Sequence, residues 1–128
     1  VIEAIEAASI VVIAPSNPPL SIRPILEVPA IGDAVAAHHK VIAISPFFGG
    51  KALKGPADRV MASLGYPSGN AGVVAAYDGI ITDLVIDAQD AADADELSDS
   101  LMVHVTDTYL TSPEASQRFG RWFEQTFT

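Results

Sequence analysis

Three glycines and two lysines stand close together in Ser45-Pro46-Phe47-Phe48-Gly49-Gly50-Lys51-Ala52-Leu53-Lys54-Gly55-Pro56-Ala57-Asp58. Only seven lysines and arginines serve all 128 residues, and two of them lie here, three positions apart. The segment follows the apolar run Val41 to Ser45 and opens into a helix-like pattern. A strand that ends in a glycine-rich, lysine-bearing loop before a helix is the layout of an anion site. Exposed N–H groups and a helix start favour a phosphate, and an ammonium adds a point charge. Gly49 and Gly50 let the backbone approach a ligand closely, and Lys51 and Lys54 can both reach a diphosphate. The competing reading is structural: lysines are commonly solvated, and the glycines then serve only the turn. The spacing is not that of a Walker P-loop, because Lys51 follows its glycines without the required interval or the Ser/Thr.

Two other places carry polar groups after apolar runs. In Pro15-Ser16-Asn17-Pro18-Pro19-Leu20-Ser21-Ile22, the side chains of Ser16, Asn17 and Ser21 can meet a nucleotide or phosphate. The alternative is a proline-stiffened turn in which Asn17 or Ser21 is a cap, and composition alone favours it. In Thr106-Asp107-Thr108-Tyr109, Asp107 can hold a hydroxyl or a hydrated cation, although a lone aspartate before a helix is more often a cap. Asp83, Asp87 and Asp90 flank the third apolar run and read as solvated rather than as a metal cluster. His38 and His39 are adjacent on a predicted helix and point apart. With His104 they make no recognisable metal set. No Ser/His/Asp elbow is present, and no catalytic base can be assigned.

The elements that must position these residues alternate. Helix patterns cover residues 1 to 8, a short Pro24-broken piece at Ser21 to Leu26, and Pro29 to His38. Further helices are predicted over Pro56 to Leu64 with Pro56 near its N1 position, and over Ala71 to Tyr77 with Asn70 as cap. A last helix starts at Ser112-Pro113-Glu114 and reaches about Phe127, with Phe119, Trp122 and Phe123 facing inward. Strands are predicted at Ser9 to Ala14, Val41 to Ser45, Ile80 to Ile86 and Met102 to Thr106. The acidic stretch Asp87 to Ser100 reads as a loop with a solvated helix. Alternation of this kind means a parallel α/β sheet with flanking helices. Ligands in such sheets sit beyond the carboxyl ends of the strands, where the loops Pro15 to Ile22, Ser45 to Gly55 and Asp107 to Tyr109 all fall.

Composition narrows the rest. The chain is 49% apolar and 18% charged, which suits one folded unit over residues 1–128 and not a disordered one. A net charge of −9 argues against a nucleic-acid or anionic-membrane surface. Without cysteine there is neither a disulfide framework nor a thiolate metal site. No apolar run approaches the length of a membrane span, and no basic leader is visible, so the expectation is a cytoplasmic protein. Val1-Ile2-Glu3-Ala4-Ile5-Glu6 reads as a helix already in progress, so residues are expected upstream.

The loops together resemble the 2-phospho-L-lactate transferase family. The resemblance is carried by Pro15-Ser16-Asn17-Pro18, Ser21-Ile22, Pro24-Ile25-Leu26, Ser45-Pro46, Gly49-Gly50-Lys51-Ala52 and Lys54-Gly55-Pro56-Ala57. Met61, Leu64-Gly65, Gly72-Val73, Tyr77 and Thr106-Asp107-Thr108 continue it in the same order. It implies a Rossmann-like fold, incomplete here at its N-terminal side, and a chain that is the C-terminal part of a larger transferase. The implied reaction belongs to deazaflavin coenzyme (F-420) biosynthesis. A phospholactyl or phosphoenolpyruvyl group passes from a guanosine diphosphate-linked donor to the deazaflavin Fo, and GMP leaves. Magnesium and a homodimer are implied as well. The donor would be held by Ser16, Asn17, Ser21, Gly49, Gly50, Lys51 and Lys54. The metal aspartate and the Fo-binding residues belong to a first half that the resemblance does not reach. Two other readings stand beside it: a nucleotide-sugar-binding regulatory module of a related glycine-loop group, and a non-catalytic fragment serving only structural contacts.

Overall fold

The computed structural model describes residues 1–52 and 56–128. Its centre is a parallel sheet of β1 (Val11–Ile13), β2 (Val41–Ile44), β5 (Asp83–Asp87) and β6 (Met102–Thr106), lying side by side in that order. Ile42 faces Asp83, and Val85 faces His104, across the ladders. Between β2 and β5 the chain adds a small antiparallel hairpin, β3 (Phe47–Phe48) with β4 (Lys51–Ala52). The helices are α1 (Ile2–Ala7), α2 (Arg23–Leu26), α3 (Pro29–Ala37), α4 (Ala57–Ser63), α5 (Gly69–Ala76), α6 (Ala94–Leu97) and α7 (Pro113–Phe127). A π-helical turn, Pro18–Ile22, precedes α2, and a 3-10 turn, Ala88–Asp93, precedes α6. This is the parallel α/β sheet with flanking helices expected from the alternation of elements, and the Rossmann-like arrangement that the resemblance implies.

Strand alternation sorts the core into two layers. Val41, Ala43, Leu84 and Ile86 point to one face, where they pack with Val35, Met61, Val73 and Leu97 from the helices between the strands. Ile42, Ile44 and Val85 point to the other face and meet Phe119, Trp122, Phe123 and Phe127 of α7. All four residues of β2 are buried, which explains its unbroken β-branched and apolar sequence. No helix among the described residues is long and apolar enough to cross a membrane.

Several boundaries depart from expectation for identifiable reasons. The third strand begins at Asp83 rather than Ile80, because Thr82 caps its start: the Thr82 hydroxyl accepts from Val41 N at 3.1 Å and its amide donates to Val41 O at 2.8 Å. Helix α3 stops at Ala37, so His38 is its C-cap and His39 lies beyond it. The His38 ring turns outward: Nε2 donates to Ala8 O at 2.8 Å and Nδ1 accepts from Lys40 N at 3.0 Å. Pro56 is the cap before α4 rather than its first residue. Asn70 is not a cap either. It sits in the first turn of α5, after Ser68, with its side chain turned inward.

Candidate functional site

The parallel register brings four connections to one edge of the sheet, the carboxyl ends of β1, β2, β5 and β6. Three were expected there. The fourth, the 3-10 turn Ala88–Asp93 after β5, was not, although an aspartate directly after a buried strand was the signal for it. Phe48 of the hairpin lies edge-on to Tyr109 at 5.4 Å, so the connection after β2 reaches across β5 to the one after β6.

The glycine segment folds as a tight hairpin instead of an open loop. Gly49 and Gly50 have φ of 60° and 80°, the pair of positive angles that a two-residue hairpin turn of the primed type requires. Phe48 pairs with Lys51 and Phe47 with Ala52. Buried Phe47 anchors the hairpin in the core. The Gly49 amide is not bare: it donates to Asp90 Oδ2 at 3.1 Å. Lys51 is placed by its backbone in β4, while Lys54 lies outside the described residues, as does the geometry of any ammonium contact.

The Ser16-Asn17 turn stands on the neighbouring strand β1. Asn17 acts as a cap, its side chain accepting from Leu20 N at 3.3 Å, and Ser21 N donates to Asn17 O at 2.8 Å. Ser16 is half-buried and Ser21 exposed. Asp107 likewise closes its own turn, accepting from Tyr109 N at 2.9 Å.

The expectation that Asp83, Asp87 and Asp90 are solvated is overturned. They are 1%, 3% and 7% exposed. Strand alternation turns Asp83 and Asp87 toward the α7 side, and backbone and side-chain donors compensate their burial. Asp87 accepts from Thr108 N (2.8 Å), Thr108 Oγ1 (3.1 Å) and Gln89 N (2.9 Å), tying the connection after β6 to that after β5. Asp83, at the opposite end of β5, accepts from Thr82 Oγ1 (2.6 Å), His104 Nε2 (2.8 Å) and Lys40 Nζ (2.9 Å). Burial pushes the Asp83 carboxyl up, but these hydrogen bonds and the Lys40 charge outweigh it and hold it below the ordinary carboxylate range. Asp90 is pushed up, by burial first and by the charges of Asp93 and Asp87; the Gly49 amide and Asn70 offset only part of this.

Ser45, Asn70 and Asp93 complete the rim. Ser45 Oγ donates to Asn70 Oδ1 at 2.5 Å, and Asn70 Nδ2 donates to Asp93 Oδ2 at 3.2 Å. Asn70 and Asp93 border a polar cleft of about 390 Å³ whose walls include Gly49, Gly50, Ser68, Asp90 and Glu96. The resemblance implies magnesium, and these residues do not fit it. Among the described residues no three His, Asp or Glu side chains converge on a cation position, and the oxygens of Asp83, Asp87 and Asp90 are engaged by internal donors.

The family model for 2-phospho-L-lactate transferase CofD matches residues 1–115. A 2-phospho-L-lactate transferase of Methanospirillum hungatei is 37% identical over 121 residues, 94% of this chain and 38% of that protein. One from Methanothermobacter thermautotrophicus is 40% identical over 91 residues, 71% of this chain and 29% of its own length. A phosphoenolpyruvate transferase of Streptomyces griseus is 39% identical over 99 residues, covering 76% of this chain and 31% of that one. The chain therefore spans well under half the length of these curated relatives.

Proposed function

The chain belongs to the 2-phospho-L-lactate transferase CofD family, and on that premise we propose that it carries the donor-binding rim of a transferase of deazaflavin coenzyme biosynthesis. The donor is a guanosine diphosphate-linked three-carbon acid, and the acceptor is the terminal hydroxyl of Fo. The hydroxyl oxygen bonds to the phosphorus that carries the lactyl or enolpyruvyl group. The bond from that phosphorus to the bridging oxygen breaks, GMP leaves with the oxygen, and the hydroxyl proton is lost. Such a transfer depends on neutralising charge on a diphosphate more than on a paired acid and base. Lys51 and Lys54 supply that neutralisation, with the Gly50 amide at the hairpin tip and the Ser16, Asn17 and Ser21 turn beside it. Magnesium's ligands, and the Fo contacts, come from outside these residues. The partner in a homodimer is a second copy of the whole protein.

The observation that carries this reading is the parallel pairing of β1 with β2, which sets the serine-asparagine turn and the glycine hairpin on adjacent strands at one edge. Calorimetric titration tests it: GDP is expected to bind more tightly than UDP. Lys51→Ala and Lys54→Ala should each weaken GDP by about 1–3 kcal/mol, the range for a lost hydrogen bond to a charged group. Equal GDP affinity in wild type and both variants sinks the assignment.

A further inference from the structure

We propose that Asn70 is a positioning residue for the donor rim: it fixes the glycine hairpin against the turn after β5, so that the opposite side of the hairpin tip is the one offered to the donor. The geometry stands on its own, and only the consequence for binding rests on the donor reading above. Asn70 is 1% exposed and lies in the first turn of α5. A buried side-chain amide must place an acceptor and its donors at once, and the neighbours of this one leave it a single orientation. Asp93 Oδ2 accepts from Nδ2 at 3.2 Å, and a flipped amide would set its oxygen against that carboxylate. Oδ1 therefore faces Ser45 Oγ, which donates to it. With its proton committed, Ser45 Oγ has only lone pairs left, and Phe47 N donates to them at 3.2 Å. Phe47, Ser45 and Asn70 thus form a chain of donors with one direction, ending on Asp93. Gly49 N makes a second link to the same turn, donating to Asp90 Oδ2 at 3.1 Å.

Asn70 joins the three pieces that bear on the tip. Ser45 follows β2, Asp90 and Asp93 belong to the 3-10 turn, and α5 itself abuts the hairpin: a Cβ on Gly69 would stand 3.7 Å from Gly50 Cα. On the other flank a Cβ on Gly49 would meet Gln89 Oε1 at 3.6 Å. The tip is therefore enclosed on two sides, and the amide of Asn70 is the group that ties those sides together. Asn70 also steadies the Asp90 carboxylate, which burial, Asp93 and Asp87 oppose. Leucine would fill the volume and aspartate would keep the shape, but neither supplies the donor that the acidic turn requires.

Asn70→Asp tests this. It keeps the shape and adds a carboxylate to Asp90, Asp93 and Glu96, the titratable groups that line the cleft among the described residues. At pH 7 the Phe47 and Gly49 amides, followed by NMR, should exchange at least about tenfold faster, the loss of a hydrogen bond to a charged group, while the β5 amides keep their protection. GDP should bind about tenfold more weakly, because the competent hairpin pose is less populated. On acidification the introduced carboxyl gains a proton and becomes a donor again, so the affinity of the variant relative to wild type should recover. Ser45→Ala is the milder change and serves if Asn70→Asp does not fold: Phe47 exchange should rise about two- to tenfold with β5 protection retained. A purely structural Asn70 predicts a lower melting temperature with unchanged GDP affinity below it and no recovery in acid. Unchanged Phe47 and Gly49 exchange in the folded variants, or GDP affinity equal to wild type despite faster exchange, overturns the proposal. Failure of GDP to bind the wild type sinks the donor reading instead, and the exchange rates still decide whether Asn70 holds the hairpin.

Discussion

Replacing Asp87 by asparagine tests whether a buried carboxylate holds two of the rim connections together. The side chain is 3% exposed and accepts three hydrogen bonds, two from Thr108 and one from Gln89 N. Asparagine keeps the shape and one acceptor oxygen but turns an NH2 group toward one set of donors. In the less costly orientation the oxygen stays with Thr108, and Gln89 N–H faces another donor. One charge-assisted bond is then lost and two are weakened. Bonds to charged groups contribute about 1.5–3 kcal/mol and neutral ones about 0.5–1.5. Gln89 is exposed and its amide can turn to water, so the net cost falls at about 2–3 kcal/mol. For a chain of this size that lowers the melting temperature by roughly 6–15 °C. Urea unfolding followed by the fluorescence of Trp122, the single tryptophan, measures it, and the denaturant slope should not change. Hydrogen exchange adds a local readout, since the Thr108 amide should lose protection before the β5 amides do. A loss under about 0.5 kcal/mol, the range of ordinary surface substitutions, refutes the idea that this carboxylate fastens the rim.

Asp90→Asn should behave in the opposite way. The folded pKa of Asp90 is raised, so its ionised form opposes folding as pH rises, and a neutral side chain that still accepts from Gly49 should melt at the same or a higher temperature at pH 7. A clear loss at pH 7 that vanishes in acid contradicts this. Asp83 has a lowered folded pKa, so its contribution is complete above the unfolded value of about 3.9 and disappears as pH falls through the folded one. Asp83→Asn should therefore lower stability at neutral pH and flatten the acid limb of a stability–pH curve; a limb of unchanged steepness rules this out. Gly72→Ala places a Cβ 2.2 Å from Pro67 O, inside contact distance of backbone, and should cost about 1–3 kcal/mol by chemical denaturation.

The sheet was legible because its signals are collective. Val41 to Ile44 is an unbroken apolar run, buried throughout, and Met102 to Thr106, with Val103, Val105 and Thr106 around His104, is a half-buried to exposed strand beside β5. The last helix declared itself at both ends, with Ser112 capping Ala115 N and aromatic residues at helical spacing. Single polar residues were less legible. Whether Asp83 is solvated depends on Lys40 and His104, 43 and 21 residues away in the chain. Asn70 looked like a cap from its neighbours, but its partners are Ser45 and Asp93. The hairpin at Gly49-Gly50 was within reach: two glycines between Phe47-Phe48 and Lys51-Ala52 fit the primed turn as well as they fit a phosphate loop.

That ambiguity bears on the chemistry of the rim. A phosphate loop presents free amides, whereas here the Gly49 amide already serves Asp90, and Asp93 and Glu96 line the same cleft. Each carboxylate held about 4 Å from a phosphate oxygen opposes it by about 1 kcal/mol in water and about 4 at an effective dielectric of 20. A diphosphate can therefore settle at this edge only on the side of the hairpin away from Asp90, or with cationic groups between. The two lysines that follow the turn are the cations this sequence places nearest, which makes the donor assignment depend on them rather than on the glycines. It also fixes the expected salt response: attraction between exposed ammonium groups and the donor should weaken steadily as ionic strength rises.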